Sequence, residues 1–140
     1  MKLRKSNNFN KKNGFTLIEL IAVMAIIGIL ATMLLPQVTG YIKEAKKLKI
    51  VDQCRKVVMA AESYNLRYSS ASLKENNTVF DMKENDKLKK YLEGVKLNNL
   101  PDGTKLGQCY DIVNGAEFTI SDNDILDIKT ITPAATANNT

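Results

Sequence analysis

At 140 residues the chain is long enough for one domain of ordinary size with appendages and too short for two independent cores. It has 20 Lys and Arg against 15 Asp and Glu, and no His or Trp, which excludes imidazole acid–base chemistry and His-ligated metals. Lys2, Arg4, Lys5, Lys11 and Lys12 lie within residues 1–14 with no acid among them, so this leader carries the whole formal +5 and the net charge does not imply a DNA-binding surface.

From Phe15 to Leu35 the chain reads FTLIELIAVMAIIGILATMLL, with Glu19 as its one formal charge. As a helix this stretch is about 31 Å long, close to the hydrocarbon thickness of a bilayer. Leu20 to Leu35 holds eleven large apolar side chains, three Ala, Gly28 and Thr32, and they surround the axis instead of forming a stripe. A helix that is apolar all round needs lipid or other protein about it. The five cations precede it and the first charge beyond is Lys43, which favours a cytoplasmic N-terminus, although Lys46, Lys47 and Lys49 narrow the margin. A secretory signal peptide fits poorly: the run exceeds an ordinary apolar region, it contains Glu19, and no A-x-A pattern occurs before Pro36. In a plain membrane anchor Glu19 would be an uncompensated cost of up to about 2.5–3.5 kcal/mol, less near a helix end.

Lys11-Lys12-Asn13-Gly14-Phe15-Thr16-Leu17-Ile18-Glu19 resembles the prepilin signal of the type IV pilin and type II secretion pseudopilin family. The likeness covers roughly the first third of the chain. It joins a basic leader, a Gly-Phe junction, an acid four residues later and a long apolar helix. The resemblance implies cleavage after Gly14 by a prepilin peptidase on the cytoplasmic side, N-methylation of the new terminus at Phe15, and assembly into a helical filament. Gly14 lets the backbone enter a narrow protease cleft. The amine freed at Phe15 is mostly cationic at neutral pH, methylated or not, and Glu19 is its natural counterion. The pairing is either within one chain or between subunits; in low dielectric an unpaired partner is penalised, so an intermolecular pair would fix register, and the family favours that geometry.

Exposing eleven large apolar side chains to water at about 1.5–3 kcal/mol each is prohibitive, so the subunit must pass from lipid directly into a helix bundle. That transfer gains little hydrophobic free energy, while Ala22, Ala25, Gly28 and Ala31 permit close helix approach. Extraction therefore needs outside work, which the resemblance assigns to an assembly ATPase and a membrane platform.

Pro36 cannot donate to Thr32, and with Gly40 it predicts a kink, a locally unwound stretch or the end of the membrane helix; a weak point here would let a filament extend under load. Ile50, Cys54, Val57, Val58, Ala61, Tyr64 and Tyr68 then recur at helical spacing, predicting an amphipathic helix to Tyr68. Ser69–Thr78 reads as loop, and Asp81–Gly94 as a short helix stopped by Gly94. Pro101-Asp102-Gly103 is a turn. Gln108–Val113 and Ala116–Ser121 flank Asn114-Gly115 as a hairpin, and Ile125–Ile131 follows the turn Ser121–Asp124 as a third strand. The expected fold is therefore α+β, pilin-like, with a long N-terminal helix packed on a small antiparallel sheet of about three strands. Its divisions are a cleaved leader at 1–14, a transmembrane and filament-core helix at 15–35, an amphipathic helix at 36–68, a globular head at 69–131 and a flexible tail at 132–140.

Cys54 on the helix and Cys109 at the start of the first strand are either a disulfide, in an extracytoplasmic head, or two buried thiols. Asp122, Asp124 and Asp127 read as turn chemistry in preference to a Ca²⁺ loop, because the EF-hand pattern is absent. The sequons at Asn76 and Asn138 are expected by chance in an Asn-rich chain, and the lysines from Lys43 to Lys49 read as a solvated helix face.

No catalytic constellation, metal set or cofactor motif is present, so an enzyme is not expected. The reading is a structural subunit, in particular the major pilin, of a type IV pilus serving adhesion, surface motility or aggregation. The alternatives are a pseudopilin of a type II secretion or competence apparatus, and a membrane-anchored enzyme or binding protein. The partners implied by the resemblance are copies of the chain in a homo-oligomeric filament, the prepilin peptidase and methyltransferase, the assembly ATPase and platform, and minor pilins; DNA is left open. The implied location is the cytoplasmic membrane before assembly and an extracellular pilus afterwards.

Overall fold

The computed structural model describes residue 2 and residues 13–134. The expected leader at 1–14 and tail at 132–140 therefore lie for the most part outside the described residues. In chain order the elements are α1 (Leu17–Arg67), α2 (Val79–Glu84), α3 (Asp86–Leu92) and α4 (Leu106–Val113), with single 3-10 turns at Ser69–Ala71 and Ile128–Thr130. The chain divides into two compact units, Met1–Gly40 and Tyr41–Thr140, and α1 contributes to both.

In the first unit, every described side chain is solvent-facing. Two of its hydroxyls are satisfied locally: that of Thr32 donates to the carbonyl of Ile29 at 2.7 Å and that of Thr39 to the carbonyl of Pro36 at 2.8 Å. Such back-bonding is the cheapest way to carry a hydroxyl on a helix that must sit in an apolar medium. Contrary to the expected end or unwinding, α1 runs as helix through Pro36 and Gly40. The missing donor of one residue is tolerated within a helix this long.

The second unit is a small head built around the C-terminal part of α1. Ile50, Gln53, Cys54, Val57, Val58, Ala60, Ala61 and Tyr64 are buried, at the three- and four-residue intervals that define one helix face. They pack with Val79 and Met82 of α2, Leu88 of α3, and Leu106, Cys109 and Ile112 of α4, together with Leu97, Leu100, Phe118 and Leu126 from the connecting segments. Tyr68, expected on the buried face, lies just past the helix end and is half-buried.

The expected antiparallel sheet is not formed: among the described residues there are only isolated bridges, Thr78 with Lys105, Glu117 with Thr132 and Ile120 with Leu126. The residues assigned to the first strand, 108–113, are the body of α4. Leu106, Cys109, Tyr110 and Val113 follow helical spacing, a pattern hidden when the window opens at Gln108. Asn114 and Gly115, taken for a hairpin turn, instead end this helix. Gly115 adopts φ +97, and the amide of Asn114 bonds the carbonyl of Tyr110 at 3.0 Å. A glycine with positive φ after a helix is as natural as one in a type I′ turn. The expected second and third strands do lie side by side, with reciprocal Glu117–Thr132 bonds of 2.9 and 2.8 Å. Asp127 and Thr130 divert the ladder, because the Asp127 carboxylate accepts from the Lys129 amide and the Thr130 hydroxyl donates to the Asp127 carbonyl at 2.8 Å.

The single helix expected over Asp81–Gly94 is two. Thr78 caps α2 through a capping box with Asp81, while Asn85 ends α2 and caps α3 by accepting from the Lys87 amide. The loop after α1 is closed by Asn65, whose side chain accepts from the Leu73 amide at 2.6 Å and donates to its carbonyl at 3.2 Å.

Two buried amides complete the head. Gln53 Nε2 donates to Asn99 Oδ1 at 2.8 Å, the Asn99 amide donates to Gln53 Oε1 at 3.1 Å, and Asn99 Nδ2 donates to the carbonyl of Asp124 at 2.7 Å. Asn99→Ala strands both the Gln53 amide and the Asp124 carbonyl, and urea unfolding should read a loss of about 1–3 kcal/mol; an unchanged midpoint contradicts the network. The capping carboxylate of Asp81 is held below the ordinary range by hydrogen bonds from Thr78, its backbone first, and that of Asp86 by Lys89. Depressed acids stabilise above their ordinary pKa and lose that contribution as pH falls through the folded value, so Asp81→Ala should lower stability at pH 7 and leave a smaller loss on acidification below about pH 4. Identical acid profiles for the two proteins contradict this assignment.

Candidate processing and assembly segment

Residues 13–16 precede α1 without regular structure, and the Gly14–Phe15 junction lies there in the open, with Phe15 96% exposed. A Cβ built on Gly14 meets nothing within 4 Å, and its φ lies outside the left-handed region that would demand glycine. Nothing among the described residues therefore calls for a glycine at this position.

Glu19 sits in the first turn of α1, and its local partner is Thr16. The Thr16 amide donates to Glu19 Oε2 at 2.9 Å, and the Glu19 amide donates to Thr16 Oγ1 at 3.3 Å. This is a reciprocal capping box that satisfies two of the unpaired amides of the helix start. An acid in the first turn also complements the positive end of the helix dipole. Thr16 was not singled out from sequence, although Thr-x-x-Glu before an apolar run is a legible capping signature. The carboxylate is exposed, and among the described residues no amine pairs with it.

Beyond Glu19, Leu20 to Leu35 presents its large apolar side chains outward with more than half of each exposed. The helix is long and apolar enough to cross a membrane. A Cβ at Gly28 or Gly40 would meet nothing within 4 Å among the described residues, which leaves room there for a closely approaching neighbour.

In the head, the lysine run is not merely solvated. Lys46 pairs with Asp124 at 2.8 Å, and Lys47 lies 4.0 Å from Glu117 and 5.8 Å from the Phe118 ring centre. Asp124 holds φ +60, tolerable for an aspartate, and Asp127 caps the 3-10 turn. These acids thus serve local structure and pairing. Cys54 and Cys109 are both fully buried and present as free thiols. The Cys54 thiol is pushed well above its ordinary range, first by its hydrogen bond with Cys109 and then by burial. Tyr110 is also raised, by burial and by neighbouring Glu62.

Residues 9–35 match the family model for the prokaryotic N-terminal methylation motif. The chain is 48% identical over 44 residues to fimbrial protein Q of Moraxella bovis, covering 31% of this chain and 28% of that protein. It is 40% identical over 52 residues to the type IV major fimbrial protein FimA of Dichelobacter nodosus, 37% and 33% of the two chains. It is 37% identical over 57 residues to the type II secretion system core protein G of Escherichia coli K12, 41% and 39% of the two chains. The matched part is thus about a third of the length of these relatives. No solved structure gives a significant match.

Because the Gly14 position makes no demand on the fold, Gly14→Leu in the full chain in detergent should leave the thermal midpoint of the head within about 1 °C of the parent. A larger fall would give this glycine a structural role.

Proposed function

We propose that this chain, whose N-terminal segment carries the methylation motif and the likeness to pilins and a pseudopilin, is the precursor of a pilin-type structural subunit. In this reading Gly14–Phe15 is the processing bond, the amine of Phe15 is methylated, and the mature chain polymerises through α1 into a type IV pilus as its major subunit. The observation that carries it is the motif at residues 9–35 coinciding with a helix whose apolar side chains have no cover among the described residues. At about 1.5–3 kcal/mol per large side chain, that surface requires lipid first and other helices later. The indifference of the fold to Gly14 supports an external reader of that position, namely a peptidase at the membrane face. The partners are copies of the chain, a prepilin peptidase and methyltransferase, an assembly ATPase with its platform, and minor pilins. The precursor resides in the cytoplasmic membrane with a cytoplasmic N-terminus, and the filament is extracellular.

A pseudopilin of a type II secretion or competence apparatus is the second reading, and it rests on the likeness to core protein G, 37% over 57 residues beside 40% over 52 for FimA. The two readings share subunit chemistry and differ in filament length. Pro36 and Gly40 remain candidates for extension under load, since an α1 lacking one hydrogen bond there yields more readily than elsewhere.

Mass spectrometry of the native N-terminus tests the class. The expected product starts at Phe15 with one methyl group, and an intact Met1 rejects it; Gly14→Leu should accumulate precursor. Glu19 is the sharper probe, because Glu19→Gln keeps a cap acceptor and removes the charge, whereas Glu19→Leu removes both. If the carboxylate pairs with the Phe15 amine, both variants lose at least tenfold in sheared surface filament. Normal filament from Glu19→Gln would reduce the residue to a helix cap. Electron microscopy of sheared fibres separates long pili from a short pseudopilus.

A further inference from the structure

The start of α1 is set by a side chain on the second residue after the Gly14–Phe15 bond. Thr16 Oγ1 accepts from the Glu19 amide at 3.3 Å, Glu19 Oε2 accepts from the Thr16 amide at 2.9 Å, and the helix begins at Leu17. Its first turn closes with the Leu20 amide donating to the Thr16 carbonyl at 3.2 Å. Residues 13–16 have no regular structure, and among the described residues no hydrogen bond engages the Gly14 carbonyl. Independently of this cap, the methylation-motif match at residues 9–35 marks the same junction as one on which an enzyme acts.

Hydrolysis of Gly14–Phe15 makes a demand on that carbonyl. The oxygen of water joins the Gly14 carbonyl carbon, the C–N bond to Phe15 breaks, and the Phe15 nitrogen takes up a proton as it leaves, giving a carboxylate on Gly14 and an ammonium on Phe15. In an α-helix each carbonyl accepts from the amide four residues on, which for Gly14 is that of Ile18. A junction drawn into the first turn would thus be wound up, with its carbonyl oxygen occupied. The sequence offers such a longer helix. Asn13 is at least as good a cap as Thr16, and a helix capped there would take in Gly14, Phe15 and Thr16.

We propose that Thr16 is a positioning residue for processing: its hydroxyl stops α1 at Leu17 and so keeps the Gly14–Phe15 bond unwound and open to the peptidase. This rests on the reading above that Gly14–Phe15 is the processing bond. Thr16 acts through the helix start and not on the reacting atoms. Removing its hydroxyl shifts the chain towards the helix capped at Asn13, in which the bond is closed. Only the fraction with the short helix then binds the enzyme, so the loss appears as a higher KM at unchanged kcat. The cap itself survives cleavage, because all four of its atoms belong to Thr16 and Glu19.

The test is cleavage of the full chain in detergent by membranes that contain a prepilin peptidase, comparing the parent with Thr16→Val, Thr16→Ser and Thr16→Asn. Valine keeps the shape and the helix propensity of threonine and lacks the hydroxyl, whereas serine and asparagine keep a cap acceptor in other shapes. The expected result is a KM about fivefold higher for Thr16→Val with kcat unchanged, and both capping variants within about twofold of the parent. On the same samples the carbon chemical shifts of Gly14 and Phe15 should move towards helical values in Thr16→Val alone. Parent-like cleavage of Thr16→Val overturns the proposal, as does a loss confined to kcat. Cleavage of Thr16→Asn as slow as that of Thr16→Val also overturns it, because the enzyme would then be reading the shape of the side chain. A parent cut after Gly14 whatever the cap rejects this inference alone. A parent left whole rejects the processing reading, and the inference with it.

Discussion

The constraint on which everything else depends is the apolar surface of α1 from Leu20 to Leu35, which stands exposed among the described residues. A soluble domain buries such a helix inside itself; here the head uses only the later part of α1 and leaves the earlier part bare. Water is closed to it, so in the proposed reading the choice of surroundings is between lipid and the same segment of other subunits. Those two media are similar in polarity, and this removes the usual hydrophobic incentive for association. What remains to specify one arrangement is shape at Gly28 and the alanines, and charge at Glu19. Placing the one acid beside the one cleavable bond makes assembly conditional on processing in the proposed reading. Among the described residues Glu19 is partnered by Thr16 and the helix start; in the proposed reading cleavage adds a full positive charge four residues away.

Much of this was legible because it depends on short-range regularities. A long apolar run reads from composition, and the buried face from Ile50 to Tyr64 reads from its period. The head was less legible, for identifiable reasons. Asn114-Gly115 serves equally as a hairpin turn and as the end of a helix, and the choice fell on Leu106, two residues upstream of the stretch first considered. Asn85 splits a helical pattern because one amide side chain can end one helix and cap the next. At Asp127 and Thr130, side chains compete with the strand ladder for backbone groups, which no alternation of apolar residues reveals.

Long-range pairs were the least legible of all. Lys46 meets Asp124, and Gln53 meets Asn99, across separations at which nothing in the local pattern connects the partners. The lysines from Lys43 to Lys49 read as a solvated helix face, yet Lys46 and Lys47 face Asp124 and Glu117. The two cysteines are intermediate. The place of Cys54 on an apolar helix face was readable, whereas Cys109, expected at the start of a strand, reaches the same core because α4 is a helix.

The irregular head has a consequence for crowding. A flat strand at the rim of a sheet offers a row of unpaired backbone groups to any copy that drifts alongside, and such rims are where fibres of the wrong kind begin. Among the described residues this domain has no strand, and its bridges each pair a single residue on either side. Subunits concentrated side by side along a fibre would thus find little to zip together through their heads, leaving the choice of neighbour to the bare helix.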